Sequence, residues 1–168
     1  MSVVAVGLGS NLGNRLLNLR TSVRYMKEAG SGGKLEVRRT SDVFETAPWG
    51  VTDQPYFLNA CLLAESDLPP EELLALLKGV ENKMGRTTAA VSRRWGERTI
   101  DLDILTMESL VYDTADLHVP HIDMHRRSFV LTPLVQILPG WVHPVMNRSV
   151  AELAMEMRDN ENLRICRI

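Results

Sequence analysis

The chain is poor in aromatics and cysteine, and it has no long apolar run. Three Phe, three Trp and three Tyr make up 5% of its 168 residues. A sheet that binds RNA needs aromatics displayed on its central strands, and no such display is legible here. The two cysteines, Cys61 and Cys166, give neither a disulfide framework nor a zinc-ligand spacing. Cys61 is expected as a small buried hydrophobe within a strand. No stretch approaches the length of a membrane span. The N-terminal MSVVAVGLGSN lacks a charged n-region, so a cytoplasmic location is the expectation. The chain also lacks an excess of either charge. A net charge of −2 gives no global attraction for nucleic acid, and any polyanion site must come from a local cluster. A Gly-Lys-Ser/Thr phosphate loop is absent too. The Gly7-Leu8-Gly9-Ser10-Asn11-Leu12-Gly13 stretch is therefore expected to be a tight strand-to-helix turn.

What is present is an ordinary globular composition, 45% hydrophobic and 24% charged, in a length that suits one domain. The domain is expected over 1–158, with 159–168 as a C-terminal tail. The most informative stretch is Arg94-Trp95-Gly96-Glu97-Arg98-Thr99-Ile100-Asp101-Leu102-Asp103-Ile104. If a strand runs through it, Asp101 and Asp103 share a face about 6–7 Å apart, and Ile100, Leu102 and Ile104 take the other. Paired carboxylates are hard oxygen ligands suited to magnesium. Arginines suit phosphate oxygens, and Arg86, Arg93, Arg94 and Arg98 crowd the approach to the strand. Alone, either feature is a solvated surface motif, since exposed ion pairs contribute little stability. Adjacent, they point to a metal–polyphosphate complex and to phosphoryl-type transfer.

The element order is strand (Val3 to Leu8), helix (Asn14 to Ala29), long strand (Leu35 to Glu45), turn-rich loop (46–55) and strand (Tyr56 to Ala64). A helix starting at Pro69-Pro70, a loop over 86–97, a strand over 99–107 and a hairpin near Val111-Tyr112 follow. Asp123 is the expected N-cap of a helix through Leu138, and Ser149 to Met157 reads as a last helix. This order predicts an α+β fold with the ferredoxin-like β-α-β-β-α-β pattern. Its antiparallel sheet has helices on one face, C-terminal helices are added, and the open face is available to a ligand. In the Tyr56 strand, Phe57, Asn59 and Cys61 share one face, and Leu58, Ala60 and Leu62 the other. Trp49, Phe57, Trp95 and Phe129 are candidates to stack on a flat heterocycle. His121, beside Arg126 and Arg127, is a candidate phosphate contact.

The segments GLGSNLGNR, FETAPWGVTDQPYFLNA, ELLALLKGVENKMGR, RRWGERTIDLDIL and VPHIDMHRRSFVLTPL stand in one order along the chain. In that order and spacing the chain resembles the 6-hydroxymethyl-7,8-dihydropterin pyrophosphokinases of folate biosynthesis, from Val3 to about residue 158. The resemblance implies transfer of a diphosphate from ATP to the pterin hydroxymethyl group, release of AMP, and two Mg²⁺ ions. It implies that Asp101 and Asp103 hold the metal, and that Arg86 and Arg98 join them as catalytic residues. Glu81, Arg86, Arg94, Trp95, Arg98, Ile104, His121 and Arg127 would lie on the ATP side. Thr46, Trp49, Phe57, Asn59, Trp95, Asp101 and Phe129 would hold the pterin. The chain departs from the common pattern in three places. Ile122 stands where a tyrosine is frequent and Lys78 where a glutamine is. The 86–94 loop is about two residues longer, with Thr88 in place of an arginine.

Two other classes compete. A non-catalytic ferredoxin-like binding module would keep the fold without turnover, and the intact Asp101, Asp103 and Arg98 argue against it. A magnesium-dependent nucleotide-sugar transferase usually needs a larger domain. The expected partners are ATP and the pterin alone, with no nucleic acid and no membrane, and the protein is expected to act as a monomer.

Overall fold

The computed structural model describes residues 1–48, 53–85, 97–160 and 166–167. The strands are β1 (Ser2–Ser10), β2 (Leu35–Thr40), β3 (Phe44–Thr46), β4 (Phe57–Ser66), β5 (Asp101–Met107), β6 (Tyr112–Asp113), β7 (His118–Val119) and β8 (Cys166–Arg167). The helices are α1 (Arg15–Ala29), α2 (Pro70–Lys83), α3 (Ser128–Ile137) and α4 (Val150–Asn160). The main sheet runs β5-β1-β4-β3-β8, with β2 also paired to β4. Every pair in it is antiparallel.

Local chemistry sets these boundaries. The Asn14 side chain caps α1 by accepting the Leu17 N–H at 3.1 Å. Gly30 closes α1 where a Cβ would come within 2.6 Å of Leu35, so only glycine lets the helix end against the start of β2. Pro69 and Pro70 open α2, and Glu71 and Glu72 occupy its first turn, where the helix dipole favours acids. The long strand expected over Leu35 to Glu45 is instead two. The register against β4 shifts between Val37 and Arg39. Beyond Thr40, Ser41 donates its N–H to Cys61 O at 2.8 Å and accepts the Cys61 N–H on its hydroxyl at 2.9 Å. The side chain thus replaces a ladder bond, and the chain turns before β3 begins.

Period-two alternation divides the core between the two faces of the sheet. Val4, Val6 and Leu8 of β1, Leu58 and Leu62 of β4, and Leu102 and Ile104 of β5 form one cluster with Leu19 and Met26 of α1 and Leu73 and Leu77 of α2. Ala5, Cys61 and Leu105 form a second cluster with Leu131 and Leu134 of α3 and Leu153 of α4. Helices therefore lie on both faces, and the face expected to be open is covered at one end.

The helix expected from Asp123 to Leu138 is interrupted. Met124–Arg126 form a single 3₁₀ turn, and Arg127 is extended before α3 starts. Asp123 makes no side-chain cap; its carboxylate takes the Arg127 guanidinium at 3.0 Å. Among the described residues, no helix is long and apolar enough to cross a membrane.

Behind β5 lies a buried carboxylate. Glu81, 1% exposed, accepts the Leu102 N–H at 2.7 Å and the Lys78 ammonium at 3.0 Å. Removing it leaves a buried donor unmatched. Glu81→Ala is expected to cost about 2–3 kcal/mol, a fall in Tm of roughly 4–12 °C, with Glu81→Gln losing less than half of that; thermal unfolding followed by circular dichroism reads both.

Candidate functional site

The uncovered end of the second face holds a cleft of about 320 Å³. Strand register builds its floor. Gly9 of β1 stands between Asp101 of β5 and Asn59 of β4, and Gly7 stands between Asp103 and Cys61. Side chains paired across strands share a face, so two carboxylates, two glycines, an amide and a thiol share one surface. The two glycines are thus strand residues and not the tight turn expected of 7–13. They leave the middle of the floor flat: a Cβ at Gly9 would stand 3.1 Å from Asn59 Oδ1, and one at Gly7 would touch Leu105 at 3.4 Å.

One end of the cleft carries charge. Arg98 forms an ion pair with Asp101. Asp103 lies on the same face of β5 as Asp101, half-buried in the cleft wall. Burial first, then the Asp101 charge, push its carboxyl up to about 7, while Lys78 and Arg127 pull it back down. Two carboxylates side by side on one face of β5 are hard oxygen donors, which fits a divalent metal at the pair. His121 enters from the loop after β7. Its Nδ1 accepts the Asp123 N–H at 3.2 Å, which places the ring proton on Nε2. Burial and the nearby Arg127 hold its pKa down to about 4. At neutral pH it is an uncharged donor. Arg127, buried at the start of α3, completes this end.

The other end is flat and amidic. Phe57 and Phe129 line it, the latter beneath the Arg127 guanidinium at 5.8 Å from the ring centroid. Asn59 donates from Nδ2 to Thr46 Oγ1 at 2.6 Å, and both residues are buried. That bond fixes the amide plane and leaves Asn59 Oδ1 over Gly9. Cys61 is no nucleophile here. Burial pushes its thiol well above the usual range, and its Sγ faces Val130 O at 3.7 Å.

The structure thus brings Thr46, Phe57, Asn59, Arg98, Asp101, Asp103, His121, Arg127 and Phe129 to one cleft. Ile122, half-exposed, lies at its mouth. Glu81 and Ile104 do not line it. Glu81 braces the backbone of β5, and Ile104 is buried in the core beneath α1 and α2. Trp49, Arg86, Arg94 and Trp95 lie outside the described residues. Sequence reasoning missed Gly7 and Gly9 as floor, and Gln54 in the cleft lining. A glycine at alternate positions of a strand was the available signal for the floor.

Together these features define an α+β protein whose antiparallel sheet carries a two-part ligand cleft, charged at one end and flat at the other. Its fold is shared with a Plasmodium falciparum HPPK-DHPS crystal structure, a triple mutant with SDX-DHP. That match has a TM-score of 0.75 at 17% identity and covers 99% of this chain and 45% of the other. Residues 5–139 match the 7,8-dihydro-6-hydroxymethylpterin-pyrophosphokinase family, and the chain belongs to it. A 2-amino-4-hydroxy-6-hydroxymethyldihydropteridine pyrophosphokinase of Aquifex aeolicus is 36% identical over 93% of this chain and 92% of its own length. The mitochondrial folate synthesis bifunctional protein of Arabidopsis thaliana is 45% identical over 80% of this chain; the match spans only 23% of that larger protein.

The Asp103 setting has a signed consequence. Its folded pKa is raised, so ionising it costs stability. That cost is absent below the unfolded carboxylate range, grows as pH rises toward 7, and is complete above it. Asp103→Asn without added metal is therefore expected to raise Tm by about 2–8 °C at pH 8 and by much less at pH 5. Calorimetric scans at the two pH values check this; an equal shift at both would show that Asp103 does not titrate in this window.

Proposed function

We propose that the protein transfers a diphosphate from ATP to the hydroxymethyl group of 6-hydroxymethyl-7,8-dihydropterin and releases AMP. One observation carries the reading: the Asp101–Gly9–Asn59 row sets a carboxylate, with a second two residues along the same strand, two strands from an amide in a flat aromatic slot. A polyphosphate at one end and a heterocycle at the other would meet over the glycine floor. Family membership supports the same reading, as do the names of the Aquifex and plant relatives.

The reaction needs no nucleophilic side chain. The pterin hydroxyl oxygen bonds to the β-phosphorus, the bond from that phosphorus to the α,β-bridging oxygen breaks, AMP departs, and the hydroxyl proton goes to solvent or a nearby base. Alignment and charge neutralisation carry such a transfer. Asp101 and Asp103 would hold the metal. When bound, magnesium neutralises the triphosphate and orients it. Arg98 and Arg127 supply fixed positive charge to phosphate oxygens, and His121 supplies an uncharged N–H. Asn59, held by Thr46, matches the donor–acceptor edge of a pterin, and Phe57 and Phe129 take its faces. A site built to pair those polar edges rejects flat mimics that lack them. Arg86, Arg94, Trp95 and Trp49 belong to the same proposal through the resemblance of their segments. In this reading the protein works as a cytoplasmic monomer with two Mg²⁺ ions. The strand order β5-β1-β4, with β2 and β3 beside β4, supports a ferredoxin-like topology.

Incubation with ATP, Mg²⁺ and the pterin, followed by nucleotide chromatography, tests the reaction. AMP is expected only when pterin is present. ADP would mean transfer of the γ-phosphoryl group, and unchanged ATP with a folded protein would favour a binding module. Asp101→Ala and Asp103→Ala are each expected to lower turnover by about 10²-fold or more. Magnesium should raise the Tm of the wild type at pH 8 and leave that of a variant carrying both Asp101→Ala and Asp103→Ala unmoved.

A further inference from the structure

The main sheet ends, on the side away from β5, in a strand of two residues. Beyond α4, Cys166–Arg167 form β8 and pair with the outer edge of β3, Phe44 against Arg167 and Glu45 against Cys166. In the order β5-β1-β4-β3-β8, the strand with the two carboxylates is one end and β8 is the other. The pairing is in register with the site. The row that joins the two halves of the cleft, Asp101–Gly9–Asn59, continues through Phe44 of β3 to Arg167 of β8. The backbone of β8 is therefore one strand from Phe44 and two from the amide at the flat end.

The strand between them, β3, has a firm start and a weak end. It is three residues long, and Thr46 at its end accepts the Asn59 Nδ2 at 2.6 Å, the bond that fixes the amide plane. Before β3, Ser41 is bonded twice to Cys61. Asp42 donates its N–H to Gln136 Oε1 of α3 at 2.9 Å, and its carboxylate accepts Gln136 Nε2 at 3.0 Å. Phe44 is buried. Past Phe44 the holds thin out. Glu45 pairs with Arg15 at 2.8 Å, but both side chains are partly exposed, and such pairs contribute little. A strand this short, bonded along one edge only, frays at its end. β8 bonds the second edge at Phe44 and Glu45, the two residues directly before Thr46.

We propose that β8 is a positioning strand for the heterocycle: pairing with the outer edge of β3, it fixes Thr46, and Thr46 fixes the Asn59 amide that reads the polar edge of the pterin. The proposal rests on the reading of the flat end as a pterin site. The action runs through the β8 backbone. Without β8 the end of β3 loosens, Thr46 moves away from Asn59 Nδ2, and the amide is able to turn. A turned amide offers a donor where the ligand has a donor, and a mismatched polar edge costs more than an absent contact. Asp101 and Asp103 lie at the opposite edge of the sheet, so the effect falls on the heterocycle and not on the nucleotide.

Two dissociation constants test this, both by titration calorimetry with Mg²⁺. One is for an ATP analogue carrying a methylene between the α- and β-phosphorus. The other is for 6-hydroxymethyl-7,8-dihydropterin with that analogue saturating. A chain ended after Ile165 lacks β8. It is expected to bind the pterin about tenfold more weakly, the size of one net hydrogen bond. Its Kd for the analogue should stay within about twofold, as for a distant, independent site. Cys166→Pro with Arg167→Pro keeps the length and removes both strand N–H groups, whichever of them faces β3. This variant should lose pterin affinity in the same way, and it decides the matter if the shortened chain does not fold. Thr46→Val removes the acceptor and weakens pterin binding by itself; in that background the loss of β8 should add less than about twofold. A merely structural strand would lower Tm and leave both constants unchanged, or weaken both equally. Pterin binding unchanged without β8, equal weakening of the two ligands, or a full tenfold loss on top of Thr46→Val overturns the proposal. A full chain that binds no pterin and makes no AMP overturns the functional reading instead, so the two failures are distinct.

Discussion

Two carboxylates on one face of one strand repel each other, and the site is arranged around that repulsion. Asp101 and Asp103 cannot separate, because the strand fixes their spacing. The surroundings answer on three sides. Arg98 pairs with Asp101, Arg127 pulls Asp103 toward its charged form, and Lys78 acts on it through the sheet. The compensation is incomplete, since burial and the Asp101 charge still push the Asp103 carboxyl up to about 7. His121 stays uncharged because burial and Arg127 outweigh the pull of nearby acids, so it can donate a hydrogen bond without adding charge. The charged end is thus a mixture of fixed cations, one neutral donor and an acid pair with room for a further cation.

The fold supplies this arrangement by covering the sheet unevenly. Helices α1 and α2 close one face completely with aliphatic side chains, and α3 and α4 close only one end of the other. The interruption before α3 matters for this. An unbroken helix from Asp123 would carry Arg127 as an ordinary helical residue. The 3₁₀ turn and the extended Arg127 instead deliver its guanidinium, and then Phe129, to the cleft edge.

Much of this was legible in the residues. The alternation in Thr99 to Leu105 separates the acids from the aliphatics, and the structure keeps that separation on β5. The pattern of β4 was equally clear, with Phe57, Asn59 and Cys61 on the cleft side. Three features were not legible, each for a physical reason. Gly7 and Gly9 look like a turn because glycine is commonest there; only their partners across the sheet show that they are floor. The break at Ser41 depends on a side chain replacing a ladder bond, which no hydrophobic period records. The pairing of β8 carries no pattern at all, since two residues set no period and their partners in β3 lie far back along the chain. Glu81 could be assigned to ATP only by resemblance, and its geometry in the structure is that of a brace.

That brace bears on how the chain finds its fold. A strand shifted by one residue exchanges its two faces. If β5 slipped so, Asp101 and Asp103 would enter the aliphatic layer beneath α1 and α2, and Leu102 and Ile104 would face the cleft. The Glu81 carboxylate would then lose the Leu102 N–H it accepts. The misplaced strand would bury Asp101 and Asp103 in an apolar interior, a heavy penalty for each, and Glu81 would keep only its Lys78 partner. The charges that serve the cleft therefore also act as a check on strand alignment, making the slipped state far costlier than hydrophobic contacts alone would.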